Sequence, residues 1–381
     1  MTEALDRRFV AAAIGLGAGA LGTAWPNPAV GAILVKDGRV VGRGRTGRAG
    51  RPHGEALALA MAGEEARGAT LYVSLEPCAH FGKTPPCADA IVAAGVSRVV
   101  TTISDPDPRV AGRGFDRLRA AGVEVVSGLF GDEAKRAHAG HFNQVVCGRP
   151  YVLLKLAVSA DDAIGREGES QVAVTSPVAR RHVQALRSRF DAILIGRGTV
   201  EADDPQLTCR LPGLSDRSPI RIVLDSDGAL APDRKVLTGT ARTWVFVGEV
   251  LVPPPSPATG EEPSVAATCA RSSVDGEASQ VRTLAAPRGA TGLDLPAVLR
   301  TLAEEGITRV LVEGGAHVAR GFLEADLVDA AMLFRSPERL GGNIVPALAG
   351  LPLSEIEVSP KYRRIARRRF GPDVMSLYER A

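Results

Sequence analysis

His53-Gly54-Glu55, Pro77-Cys78 and Cys87 are the residues of this 381-residue chain whose types and spacing could do chemistry. One imidazole and two thiolates give three ligands to a zinc ion, which prefers four. The remaining position goes to water, and zinc lowers the pKa of that water from about 15.7 to roughly 7. The hydroxide so formed can add to a ring carbon that bears an exocyclic amine. For ammonia to leave, the ring nitrogen and the amine must be protonated, and Glu55 is the candidate to carry those protons. The chemistry such a set supports is hydrolytic deamination. A purely structural zinc site would normally bring a fourth ligand, for which His80 is the only nearby candidate; it reads instead as a residue of a substrate loop or the surface.

These residues need elements to hold them. GEALALAMAGEEAR (54–67) carries apolar residues at helical spacing, which places His53 and Glu55 at a helix N-terminus. TLYVSL (70–75) reads as a strand feeding the second ligand. Pro77 is a favoured first helical residue, so Cys78 is expected at a second helix N-terminus, where the dipole favours the thiolate. Cys87 opens a third periodic run, CADAIVAAG.

The spacing of the cysteines is diagnostic. EPCAHFGKTPPC (76–87) resembles the bifunctional deaminase/reductase family of riboflavin biosynthesis, as do PNPAVGAILVKDG (26–38), DPDPRVAGRG (105–114), GTVEADDPQLTCR (198–210) and LVEGG (311–315). The resemblance implies a cytidine-deaminase-like N-terminal domain (1–148), a mixed sheet with packed helices, and an α/β domain (149–381) resembling dihydrofolate reductase. It implies zinc-dependent deamination of 2,5-diamino-6-ribosylamino-4(3H)-pyrimidinone 5′-phosphate, followed by NADPH reduction of the ribosyl group to ribityl. Asn27 suits a pyrimidine edge, and Lys83 and Thr84 suit a sugar phosphate. Carried over by position, Ala157, Val172, Thr199, Asp203 and Ser226 would touch the cofactor. Ser170, Arg187, Leu207, Arg210 and Glu313 would touch the second substrate. Against the family pattern, Gly54 replaces an alanine, Asp107 an asparagine, Asp162 a turn glycine and Val172 an aromatic residue.

The cofactor's place can be sought in the residues alone. The string G-x-G-x-x-G occurs at 17–22 and 42–47, but neither joins a strand directly to a helix, so both are expected to be loops of the first half. Glu313-Gly314-Gly315 follows the strand ITRVLV and precedes a helix. Its glycines let backbone approach a diphosphate, and the N–H groups of Gly315, Ala316, His317 and Val318 would face it. No catalytic base stands out for the reduction; Asp203 is a candidate for polar assistance only. Arg187 and Arg210 have the bidentate chemistry for a ribose phosphate.

Size and composition agree with two soluble domains. Hydrophobic content of 45% suffices for two cores, and a net charge of +3 gives no electrostatic case for nucleic acid. No signal peptide or membrane span is read, and an odd five cysteines fit a reducing cytoplasm. A homo-oligomer, dimer or tetramer, is expected. LVPPPSPATGEE (251–262) reads as a surface loop, and KYRRIARRR (361–369) as a solvated basic strand rather than a 2′-phosphate site. Two other readings compete. A nucleic-acid base deaminase would need tighter cysteine spacing and a basic groove. A structural zinc module would be indifferent to Glu55→Gln.

Overall fold

The computed structural model describes residues 3–82, 84–169, 172–249, 280–290 and 292–381. Lys83, Ser170, Cys269 and the 251–262 segment therefore lie outside the described residues.

In the first half the chain runs α1 (Glu3–Ala18), β1 (Gly31–Lys36), β2 (Arg39–Arg45), α2 (Gly54–Ala62), β3 (Thr70–Val73), α3 (Cys87–Ala93), β4 (Arg98–Thr101), α4 (Arg113–Ala120), β5 (Glu124–Val126), α5 (Gly131–Ala137) and α6 (Ala139–Cys147). The strands form one sheet in the order β2-β1-β3-β4-β5, antiparallel from β2 to β3 and parallel from β3 to β5. The β1–β2 hairpin turns at Asp37-Gly38, both with positive φ, as a tight right-twisted hairpin requires. Alternate residues serve opposite faces. Ala32, Leu34, Leu71, Val73 and Val99 pack on Ala58, Ile91 and Leu118 of the helices on one side. Ile33, Val35, Tyr72 and Val100 pack on Val10 and Ala13 of α1 on the other.

Glycines set the distance between sheet and helix. A Cβ on Gly42 or Gly44 would stand 2.2 Å from the carbonyl oxygen of Ala58 or Gly54, so only glycine lets α2 lie flat on β2. The second G-x-G-x-x-G string is therefore mostly strand, not the expected loop. The first begins inside α1, where a Gly17 Cβ would meet Ala29 O at 2.6 Å. Close packing, not phosphate binding, accounts for both.

The second half comprises β6 (Tyr151–Val158), β7 (Ala163–Arg166), α7 (Pro177–Arg187), β8 (Ala192–Gly196), α8 (Arg197–Asp203), β9 (Ile220–Leu224), β10 (Thr243–Gly248), β11 (Val281–Ala286), a small hairpin of β12 (Arg288–Gly289) and β13 (Gly292–Leu293), α9 (Leu295–Glu304), β14 (Arg309–Val312), α10 (Ala316–Glu324), β15 (Ala330–Arg335), β16 (Ile344–Pro346), α11 (Ser354–Glu357), β17 (Tyr362–Phe370) and β18 (Asp373–Arg380). Nine strands make one sheet in the order β11-β10-β9-β8-β14-β6-β15-β18-β17, parallel up to β15 and closed by the antiparallel β17–β18 hairpin. β14 inserts between β6 and β8, so the chain reverses its direction of travel across the sheet there. Open α/β sheets bind ligands outside the carboxyl ends of the strands at such a point. The arginines of β17 fall on the sheet's outer edge, where Arg363, Arg364 and Arg367 are exposed.

Candidate active sites

His53 is the N-cap of α2, in extended conformation, and Glu55 occupies its first turn. Cys87 is the first residue of α3. Cys78 is not on a helix: residues 76–80 are irregular, so Pro77 opens no helical turn, contrary to expectation. The α3 N-terminus serves Cys78 from across the loop instead, with Cys87 N–H donating to Cys78 Sγ at 3.2 Å.

The three side chains converge. His53 Nδ1 lies 3.3 Å from Cys87 Sγ and 3.7 Å from Cys78 Sγ, and all the ligand atoms fall within 4.8 Å of one another. Tetrahedral zinc with Zn–N near 2.05 Å and Zn–S near 2.3 Å separates N and S by about 3.5 Å, so the spacing fits this ion. His80 is not part of the cluster among the described residues. Hydrogen bonds from the Cys87 thiol and His53 lower the Cys78 thiol to about 4 against its burial. The Cys87 thiol is pushed up, chiefly because it donates to Cys78. Glu55 is 3% exposed, its Oε2 has no hydrogen-bond partner, and burial raises its pKa. A buried carboxyl with one oxygen uncommitted beside an open metal position is what a proton carrier needs.

Glu76, not singled out from the sequence, anchors the Cys78 loop. Its carboxylate accepts from Ser104 Oγ (2.6 Å) and from the N–H groups of Asp105 (3.1 Å), Gly112 (3.0 Å) and Gly114 (2.9 Å). A Cβ at Gly114 would stand 2.1 Å from Pro77 O. The DPDPRVAGRG string is thus a cradle for Glu76, and its signal was the carboxylate immediately before Pro77-Cys78. Asn27 Nδ2 donates to Gly50 O at 3.0 Å and lies 3.3 Å from His53 Nε2, which leaves Oδ1 as the acceptor for an incoming donor. Thr84 is exposed, its hydroxyl held by Arg51 at 2.5 Å.

The second site lies at the carboxyl edge of the nine-stranded sheet. Gly315 N–H donates to Thr199 Oγ1 at 2.8 Å, joining α10 to α8. A Cβ on Gly315 would meet that oxygen at 2.8 Å, and one on Gly314 would meet Val318 at 2.9 Å. Gly315 N-caps α10 with no side-chain cap, so the first-turn N–H groups are open to an anion. This glycine cradle fits a dinucleotide diphosphate. Ala157 is the last residue but one of β6, and Ser226 follows β9 at the same edge. Asp203 closes α8, half-buried and with its pKa raised by that burial. Val172 lies in the connection leading to α7, and His317 is exposed.

Arg187 forms a bidentate pair with Glu313, both bonds 2.9 Å, and donates to Thr208 O at 3.3 Å. Lys155, which sequence reading missed inside the apolar run of β6, lies 3.9 Å from Glu313. Burial raises Glu313, but Arg187 and Lys155 outweigh it and hold the carboxylate ionised; burial lowers Lys155. Leu207 is buried with positive φ, and Arg210 is exposed, bonded to Gln206 Oε1 at 2.8 Å. Asp162 sits at φ 59 where the family's glycine was expected, and its carboxylate pairs with Arg335.

Comparison with known proteins decides the relationship. Residues 150–376 match the family profile described as the RibD C-terminal domain, and residues 4–103 match the cytidine and deoxycytidylate deaminase zinc-binding region. The riboflavin biosynthesis protein RibD of Escherichia coli (strain K12) is 40% identical over 97% of this chain and 98% of its own length. That of Aquifex aeolicus is 34% identical over the full length of both. The chain belongs to the RibD family. Its structure matches the Thermotoga maritima deaminase/reductase with a TM-score of 0.81 at 32% identity, covering 99% of each chain. Acinetobacter baumannii RibD matches with a TM-score of 0.82, also at 32% identity and 99% coverage of each. As a family member it joins a zinc-binding, cytidine-deaminase-like domain to an NADPH-dependent reductase domain of dihydrofolate-reductase-like fold, serving riboflavin biosynthesis.

Proposed function

We propose that this chain deaminates 2,5-diamino-6-ribosylamino-4(3H)-pyrimidinone 5′-phosphate and then reduces the ribosyl group of 5-amino-6-(5-phosphoribosylamino)uracil to ribityl. The convergence of His53, Cys78 and Cys87 on one point, with the free oxygen of buried Glu55 in the same pocket, carries the first step. Bound zinc supplies the Lewis acid that readies water at neutral pH. Glu55 would take one proton from the water and pass it to the ring nitrogen, then take the proton of the newly added hydroxyl and pass it to the leaving amine, its raised pKa suiting it both to accept and to donate. Asn27 Oδ1 orients the pyrimidine edge, and Lys83 and Thr84 hold the phosphate.

In the second site, bound NADPH supplies the hydride. The N–H groups of Ala316, His317 and Val318 and the Thr199 hydroxyl hold its diphosphate. Gly315, whose N–H is taken by Thr199, gives the backbone room to approach, and Ala157, Val172, Asp203 and Ser226 are further cofactor contacts. Arg187, Leu207, Arg210, Ser170 and Glu313 hold the ribosyl substrate. Lys155, largely buried 3.9 Å from Glu313, supplies the proton for the sugar oxygen in this reading.

The domain boundary is placed at 148/149, between α6 and β6. The reading includes a cytoplasmic location, which keeps both cysteines reduced, and a homo-oligomer, supported by exposed Met61 and Phe81 on the first domain. No helix among the described residues is long and apolar enough to cross a membrane. The test is to supply the diaminopyrimidine phosphate with and without NADPH. Ammonia release in both, with ribosyl product accumulating only without NADPH, supports the proposal; ammonia release without subsequent NADPH consumption removes the second half of it.

A further inference from the structure

The loop that carries Asn27 is built by both halves of the chain. Residues 19–30 join α1 to β1, and much of their outer side rests on the reductase domain. Arg217 Nη2 donates to Leu21 O at 2.7 Å and to Gly19 O at 3.0 Å. Gly22, at φ 77, approaches so closely that a Cβ there would stand 2.5 Å from Ser188 O, one residue beyond Arg187. The guanidinium of Arg242 lies 5.5 Å above the Trp25 ring, and the Cβ position at Gly306 is 3.0 Å from Pro26.

The inner side of the loop reaches the zinc site through an unbroken run of bonds. Ala49 N–H donates to Thr23 O (2.9 Å), Asn27 N–H to Ala24 O (3.1 Å), and Asn27 Nδ2 to Gly50 O (3.0 Å) beside His53. Only a few residues separate the carbonyls that Arg217 grips from Asn27. The loop itself is neither helix nor strand, so these bonds from neighbouring segments hold its path. Two charge-assisted donors from one half-buried guanidinium are the strongest of the polar constraints on its outer side.

We infer that Arg217 of the reductase domain is a positioning residue for deamination, setting the loop that presents Asn27 to the pyrimidine. The inference rests on the reading of Asn27 given above. It means that the deaminase domain's grip on its substrate is completed by the second domain, so the two activities share a structural part although their chemistry is separate. Arg242 acts in the same sense through Trp25, more weakly because a cation–π contact at a partly exposed site is a smaller constraint.

The test uses the full-length zinc-loaded enzyme and four variants: Arg217→Ala, Arg217→Lys, Arg242→Ala and Asn27→Ala. Arg217→Ala is expected to raise the deaminase KM at least threefold while kcat changes less than twofold. Zinc content stays at the wild-type value, and reductase kcat and KM with the deaminated ribosyl compound are unchanged. Arg217→Lys, which keeps the charge and the N–H donors but on a shorter side chain without the planar fork, recovers part of the KM, and Arg242→Ala gives a smaller rise. Should Arg217→Ala fail to fold, Arg242→Ala carries the same KM-against-kcat test. An unchanged deaminase KM in a folded Arg217→Ala enzyme overturns the inference, as does loss of kcat and zinc together, which would make the contact general scaffolding. If Asn27→Ala itself leaves the KM untouched, the reading of Asn27 fails; if only Arg217→Ala does, the positioning inference alone fails.

Discussion

Replacing Glu76 by alanine tests whether the Cys78 loop is held by one carboxylate. Four donors converge on that group, and the N–H groups of Asp105 and Gly114 are buried. Each buried donor left without an acceptor costs about 1–3 kcal/mol. Two such donors give about 2–6 kcal/mol, a large share of the roughly 5–15 kcal/mol that stabilises a folded domain. Part of that cost falls on the metal, because Cys78 is a ligand only while residues 76–78 keep their path. Loss of a group that orients a ligand typically weakens metal binding 10–100-fold. The assay is zinc retention against a chelator of known affinity, run beside reductase turnover on the same sample. The expected result is a zinc affinity lowered at least tenfold with the reductase intact. Glu76→Gln should fall between, since its amide NH₂ would face donors where the wild type offers an acceptor. Wild-type zinc affinity and wild-type unfolding in Glu76→Ala would refute the reasoning.

Glu313→Gln keeps the side chain's shape but leaves Arg187 and Lys155 as neighbouring buried cations; breaking such a pair costs about 3–5 kcal/mol. Urea unfolding should show that loss and NADPH consumption should fall, with deamination unaffected. Gly315→Val would drive a branched side chain into Thr199 Oγ1, so the KM for NADPH should rise at least tenfold while ammonia release is unchanged. His138 is 2% exposed and its pKa is lowered to about 4 by burial, against the bond it makes to Ser74 O. The unfolded chain therefore binds a proton below about 6.5 that the folded chain refuses, and stability present above that pH is lost as pH falls toward 4. The loss from this group is up to about 3 kcal/mol. His138→Gln should flatten that part of the pH–stability profile measured by urea unfolding.

The zinc site was legible because its chemistry is written in residue types that few other roles require together, and the helix periodicity after His53 fixes where two of them stand. The misplacement of Cys78 has a physical source. Proline at a first helical position is a propensity, but the four bonds that Glu76 makes to a loop some thirty residues away override it. Tertiary bonds of that kind leave no periodic mark. The glycine strings at 17–22 and 42–47 read as loops, yet they begin inside α1 and β2 and serve as contact surfaces beside β1 and under α2, packing that spacing cannot show. Lys155 was hidden for the opposite reason: inside YVLLKLAV it looks like an interruption of a buried strand, and only the sheet's reversal at β14 brings it to Glu313. The contact between residues 19–26 and the second domain was likewise invisible, since it joins segments nearly two hundred residues apart.

The account stands or falls with the metal that His53, Cys78 and Cys87 hold and the carboxyl that works beside it. The most direct measurement is zinc per chain together with ammonia release, for the wild type, the chelator-stripped wild type and Glu55→Gln. One zinc per chain is expected in the first and third, with ammonia release lost on stripping, restored by zinc, and reduced about 10²–10⁴-fold in Glu55→Gln despite full metal. Undiminished ammonia release from stripped protein, or from Glu55→Gln, would contradict it.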